Sequence, residues 1–198
     1  MLIDLLRHGE TDGGACLRGF RDDALSPLGW AQMRAAVGSS RPWSRIVSSP
    51  LRRCAEFAGA LARLHELPLA IDDRLREMHF GEWEGLGAAQ LRTADSGFVQ
   101  RFWSDPAAYP PPGGEPFESF QHRVLESWAS LCACVADDHI LLVAHGGPIR
   151  VILGQVLDLA PRMLPRLELP HAALSRVRVW EESPGKVIAS LAFHAGRL

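Results

Sequence analysis

Met1-Leu2-Ile3-Asp4-Leu5-Leu6-Arg7-His8-Gly9 is the stretch on which the fold turns. A short apolar run stops dead at a polar residue and a glycine, as a buried strand does where it meets a loop. Two further segments behave alike. Ser44-Arg45-Ile46-Val47-Ser48 runs into Ser49-Pro50, which reads as a serine cap with proline at the first helical position. His139 to Ala144 runs into His145-Gly146-Gly147, after which Pro148 opens a helix carrying Ile149, Ile152, Val156 and Leu159. Each strand thus feeds a helix, and alternating strands and helices predict an α/β protein with a mostly parallel sheet flanked by helices on both faces.

Working outward, the helix after Pro50 shows Leu51, Cys54, Ala58, Leu61 and Leu64 on one face. A short helix, Leu28 to Val37, is entered through Ser26-Pro27. A long one, Phe117 to Val135, stripes Phe117, Phe120, Val124, Trp128, Leu131 and Val135 along one side, as a core helix does. Leu174 to Val179 and Val187 to Ala192 flank Ser183-Pro184-Gly185 and predict a terminal hairpin. From residue 80 to 116 the periodicity weakens, ending in Tyr109-Pro110-Pro111-Pro112-Gly113-Gly114. That stretch is expected to leave the core as a helical lid and a loop. With 198 residues and a prior of roughly 150 per domain, one domain over 1–198 with this inserted lid is expected.

Composition narrows the partners. The net charge is −2, and the basic residues are scattered without the stripe a nucleic-acid or anionic-membrane binder needs. Lys186 is the sole lysine, so planar guanidinium forks supply nearly all the positive charge. No apolar run nears the ~20 residues that span a bilayer. Met1 leads straight into the first strand, without a basic n-region or cleavage site. Cys16, Cys54, Cys132 and Cys134 form no CxxC pair and read as core residues of a reducing compartment. A cytoplasmic protein is expected. The apolar helix faces serve a core or a homodimer interface equally well.

The chemistry gathers at the strand ends. Open α/β sheets bind ligands outside the carboxyl ends of their strands. His8 and His145 stand there, each followed by glycine, which lets backbone approach a ligand closely. Helices starting near Pro50 and Pro148 point positive dipole ends the same way. Arg7 and Arg53 add forks suited to phosphate oxygens. A single strand-end histidine is ordinarily a satisfied polar residue; two, with arginine beside one, point to an anion. Zinc is the rival use of paired histidines, but it wants a third ligand and no cation next door.

These residues resemble the histidine phosphatase superfamily, the cofactor-dependent phosphoglycerate mutase-like proteins. Leu6-Arg7-His8-Gly9-Glu10-Thr11 matches its signature. Ser48-Ser49-Pro50-Leu51-Arg52-Arg53-Cys54 looks like the arginine motif, Leu75 through Gly85 like the acid-bearing motif, and Val143 through Gly147 like the last. Four motifs occur in order from residue 6 to residue 147. The resemblance implies the three-layer, phosphoglycerate mutase-like fold and makes His8 the nucleophile, forming a phosphohistidine. It puts Arg7, Arg53 and His145 around the phosphoryl oxygens, with Gly146 N–H helping. Glu77 takes the position of the proton donor, with Glu82 and Glu84 as rival acids. No cofactor or metal is implied. Gly9 and Thr11 fall at substrate-facing positions. Many relatives carry an asparagine where this chain has Gly14, so a backbone N–H from Gly13 or Gly14 would have to take over that contact. His79 falls beside the pocket or in a local hydrogen bond. His65, His122, His139, His171 and His194 lie in no motif and read as structural.

The chain lacks the insertion and basic cluster of the mutases. Leu17 to Leu25, His79 to Gly85, and Phe102 through Glu115 resemble instead the α-ribazole-5′-phosphate phosphatases of cobalamin assembly, which includes action on adenosylcobalamin 5′-phosphate. A flat bicyclic base would stack on Trp83, Phe80, Trp103 or Tyr109 of the lid. A broad-specificity phosphomonoesterase would share every catalytic residue and differ only in the lid; a non-catalytic phosphate-binding protein would have lost His8, Glu77 or an arginine.

Overall fold

A computed structural model of the chain describes residues 1–39, 42–133 and 138–196. Parallel strands buried on both faces need apolar side chains on both, and β1 (Leu2–Arg7) and β4 (His139–Ala144) supply them. Leu6, Leu141 and Val143 point into one core with Met33, Phe57 and Leu61. Ile3, Leu5, Ile140 and Leu142 point into the other with Val124, Trp128 and Ile152. Each such side chain contributes about 1.5–3 kcal/mol on full burial. The first core is capped by α1 (Pro27–Val37) and α2 (Arg52–His65), the second by α4 (Phe117–Cys132) and α5 (Gly146–Val156). Helices cover both sides of one sheet, the three-layer arrangement expected.

The sheet has six strands in the order β3-β2-β4-β1-β5-β6, with β2 at Arg45–Ser48, β3 at Leu69–Ile71, β5 at Leu174–Ser183 and β6 at Lys186–Gly196. The pairings β3-β2, β2-β4 and β4-β1 are parallel; β1-β5 and β5-β6 are antiparallel. The terminal hairpin forms about the expected turn with longer strands. The three-residue edge strand β3 was not anticipated, because a run that short and that exposed has no periodicity to detect.

Register does the positioning. Leu6 pairs with Val143 and Arg7 with Ala144, so residues 8 and 145 emerge side by side. His8 N donates to Ala144 O (3.0 Å), and Ser49 N, at the end of β2, donates to Val143 O (3.0 Å). Ser26 caps α1 as expected, accepting from Gly29 N (3.0 Å). Ser49 does not cap α2: that helix begins at Arg52 with Leu51 at the cap position, and the Ser49 hydroxyl accepts from Leu51 N (3.3 Å) while facing His145 Nε2 (2.7 Å). The long helix stops at Cys132, while Cys134 and Val135 lie outside the described residues.

Residues 80–116 contain a 3-10 turn (Gly81–Trp83), α3 (Ala88–Ser104) and the proline-rich loop. Phe102 anchors this stretch edge-on against Phe80 (5.9 Å between centroids) and Trp83 (5.5 Å). Cys16, Cys54 and Cys132 are free thiols, and burial pushes that of Cys132 up to about 11. Among the described residues, no helix is long and apolar enough to cross a membrane.

Candidate active site

The two histidines that sequence places at strand ends meet, with ring centroids 5.2 Å apart and planes inclined at 62°. His8 Nδ1 lies 2.7 Å from Gly9 O. A carbonyl only accepts, so Nδ1 carries the proton and Nε2 keeps its lone pair. His145 is the converse. Its Nδ1 faces Arg53 Nε (3.1 Å), which only donates, so Nε2 holds the proton and gives it to Ser49 Oγ (2.7 Å). Burial, then the Arg53 and Arg7 guanidinia, hold His8 well below the ordinary 6.5. Burial, Arg53 and His8 do the same to His145. Both imidazoles are neutral at pH 7, and one presents an unshared pair.

Arg53 is fully buried. Besides His145 it donates to Arg21 O (2.7 Å) and Gly19 O (2.8 Å), which draws loop 19–21 over the site. Arg7 donates to Leu169 O through one terminal nitrogen, while its Nε is buried without a partner. A buried donor left unmade costs about 1–3 kcal/mol, so it marks a place for an acceptor brought from outside.

Glu77 lies across from these cations, its carboxylate accepting from Met78 N (2.9 Å) and Gly147 N (3.1 Å). Among the described residues it is the sole acid lining the cavity onto which His8 opens. The rival acids are elsewhere. Glu84 accepts from Phe20 N (2.9 Å), Phe80 N (3.1 Å) and Arg21 N (2.8 Å), tying two loops together. Glu82 lines none of this cavity. His79 packs on Phe20, with ring centroids 4.9 Å apart.

Of the remaining expected positions, Thr11 is buried and lines the cavity with Gly146. Gly9 is glycine for packing, since a Cβ there would overlap the Gly29 backbone of α1. Gly14 lies on an exposed turn at φ +78°, its carbonyl held by Arg18 (2.6 Å), and it lines a neighbouring cavity instead.

Sequence reasoning passed over two residues. His171, read as structural, has its ring centroid 5.8 Å from that of His8. Arg150, on the first turns of α5, lines the cavity and donates to Leu167 O (3.0 Å). It stood one turn beyond Gly146, a helical spacing that could have flagged it. The cavity, of about 190 Å³, is cationic at one end and walled by Met78, Phe80, Phe102, Trp103, Phe117 and Phe120 elsewhere. Trp83 is buried, and neither it nor Tyr109 is among the lining. Among the described residues, no three His, Cys, Asp or Glu side chains are grouped to hold a metal ion.

Known proteins resemble this chain in sequence and fold. A sequence profile described as histidine phosphatase superfamily (branch 1) matches residues 3–189. A bifunctional protein of Mycobacterium tuberculosis is 34% identical over 188 residues, 92% of this chain and 51% of that protein. The chain spans about half the length of the first curated relatives it matches. A glucosyl-3-phosphoglycerate phosphatase of Mycobacterium tuberculosis is 36% identical over 176 residues, 82% of this chain and 78% of that one. The solved native structure of the mycobacterial glucosyl-3-phosphoglycerate phosphatase aligns at a TM-score of 0.87 and 31% identity, over 100% of this chain and 99% of that chain. The adenosylcobalamin/α-ribazole phosphatase of Salmonella typhimurium is 25% identical over 185 residues, 91% of this chain and 92% of that one.

Proposed function

The chain belongs to the histidine phosphatase superfamily, and from that premise we propose that it is a metal-independent phosphomonoester hydrolase working through a phosphohistidine on His8. The observation that carries the proposal is the pairing of the His8 Nε2 lone pair with the unmade Arg7 Nε donor in one buried cavity. Nε2 attacks phosphorus as the P–O bond to the alcohol breaks. Arg7 and Arg53 stabilise the charge spread over the equatorial oxygens, and His145, whose Nδ1 accepts from Arg53 Nε, holds that guanidinium in place. Glu77 gives a proton to the departing alkoxide. Water then attacks the phosphorus and loses a proton to Glu77, and the P–N bond breaks to release phosphate and neutral His8. Arginines supply the positive charge that a metal would bring in other phosphatases.

For the alcohol, the aromatic wall supports α-ribazole 5′-phosphate or adenosylcobalamin 5′-phosphate, and with them a role in cobalamin nucleotide-loop assembly. Ring pairs of this kind contribute about 0.5–1.5 kcal/mol each. A second reading is a glucosyl-3-phosphoglycerate-type ester. Arg150 favours it, a cavity cation that forms no ion pair among the described residues, as does the higher identity to phosphatases of that name.

Phosphate release from α-ribazole 5′-phosphate, glucosyl-3-phosphoglycerate and p-nitrophenyl phosphate tests these together. A hundredfold preference in kcat/KM, about 2.7 kcal/mol, selects the substrate; a flat profile means a generalist. His8→Ala should abolish turnover and the acid-labile phosphoprotein with it, and persistent turnover would overturn the mechanism. EDTA should leave the rate unchanged; a collapse restored by zinc would contradict metal independence.

A further inference from the structure

Beside the reaction cavity lies a wider one of about 680 Å³. The two share Thr11, Cys16, Leu17, Arg18, Trp103 and His171 as lining, so they adjoin along one partition. The smaller, at about 190 Å³, has room for a phosphoryl group and a modest alcohol. Larger organic ligands occupy sites of roughly 300–1,000 Å³. A larger alcohol therefore has to cross the partition.

What it would meet there is chemically distinct. Leu86 and Leu91 provide apolar surface, and Trp103, 42% exposed, offers its indole. The cavity's polar groups include two carboxylates beside the donors of Ser26, Thr11 and His171. Glu10 takes a hydrogen bond from Ser26 through Oε1 alone (2.8 Å), and the Asp12 carboxylate has no partner among the described residues. The cation in the partition, Arg18, is already engaged by Asp23 (2.7 Å), Asp12 O (2.8 Å) and Gly14 O (2.6 Å). A second anion would face two carboxylates and, among the described residues that line the cavity, no free cation. Hydroxyl groups would find acceptors, and the face of a ring would find indole and leucine.

Resting on the phosphomonoesterase reading, we infer that this second cavity is the alcohol-side subsite and takes an uncharged glycosyl unit, a sugar ring with or without a base attached. Trp103 is then a specificity-determining residue, forming part of both chambers.

The test fills the second cavity from its far side. Ala88, the first residue of α3, lines only that cavity. For Ala88→Trp and the unsubstituted protein, kcat/KM is measured on α-ribazole 5′-phosphate, glucosyl-3-phosphoglycerate and glycerol 3-phosphate. The ratio of glycosyl to glycerol ester should fall at least 30-fold on substitution, and a ratio within threefold of the original overturns the inference. Because both esters see the same folded molecules, a loss of folded protein cancels. The first two arms separate a base-bearing from a glucosyl occupant. Asp12→Arg, on the exposed turn, should raise the rate on glucose 1,6-bisphosphate relative to glucose 6-phosphate at least fivefold, and no rise would count against the charge argument. Failure of the unsubstituted protein to hydrolyse any ester overturns the hydrolase reading and the inference with it; hydrolysis at an unchanged ratio overturns the inference alone.

Discussion

The space beside Gly147 that a side chain would fill is occupied by Glu77: a Cβ there would overlap Oε1 and come within 2.9 Å of Phe120 Cζ. The same glycine's N–H binds the other carboxylate oxygen, so one residue both seats the acid and makes room for it. Gly147→Ala should gain up to about 1 kcal/mol of helix propensity yet lose activity. We expect kcat/KM to fall about 10- to 100-fold on an alkyl phosphate, whose leaving group needs a proton, and much less on p-nitrophenyl phosphate. Equal rates for variant and parent on the alkyl ester would separate Glu77 from proton donation.

Neutral, buried His8 and His145 carry a pH signature. Their folded values lie below the unfolded one near 6.5, so the unfolded chain binds more protons once the pH drops past it. Each histidine then adds about 1.4 kcal/mol of destabilisation per pH unit until its folded value is reached. Urea midpoints should fall as pH drops from 7 to 5, and histidine carbon NMR should find both rings uncharged at pH 6.5. Titration of His8 at 6.5 or above would contradict this.

Arg53 serves three acceptors with three nitrogens. Lysine is a single point charge and cannot reach all three. Arg53→Lys should cost about 10²–10³ in kcat as well as stability. Ser49→Ala removes one bond to His145 and should cost about tenfold at most. The reverse ranking, in steady-state rates, would mean His145 is held by Ser49 instead.

Away from the site, Asp4 is fully buried and held by Arg176 (2.7 and 3.0 Å), His139 (2.9 Å) and Trp43 Nε1 (2.8 Å). Asp4→Ala strips a partly buried guanidinium of its partner and should cost about 3–5 kcal/mol by urea denaturation. It sits four residues, roughly 13 Å of strand, before His8. The kcat of the folded fraction should stay within twofold; a larger loss would tie this cluster to catalysis.

The strand ends could be read because their signals are local. Leu5-Leu6-Arg7-His8-Gly9 carries apolar run, cation, imidazole and break in five consecutive residues, and the four motifs kept their order. The start of α2 was misread for an equally physical reason: Ser49-Pro50 satisfies the local rule for a cap, but the Ser49 hydroxyl has a tertiary partner in His145. The glucosyl-3-phosphoglycerate phosphatases, more identical to this chain than the α-ribazole enzyme, show that lid resemblance alone did not rank the relatives.

By itself the sequence determined which strands end in chemistry and which residue types stand there, since both follow from the order of neighbours along the chain. Only the tertiary structure decided which acid lines the cavity with His8, why residue 147 is glycine, and that Arg150 and His171 join the cavity. Those outcomes hang on contacts spanning 70 residues between Glu77 and Gly147, 92 between Arg53 and His145, and 96 between Ser49 and His145. The hydrogen bonds of a side chain depend on what the packed sheet brings beside it, and no window of neighbouring residues contains that partner.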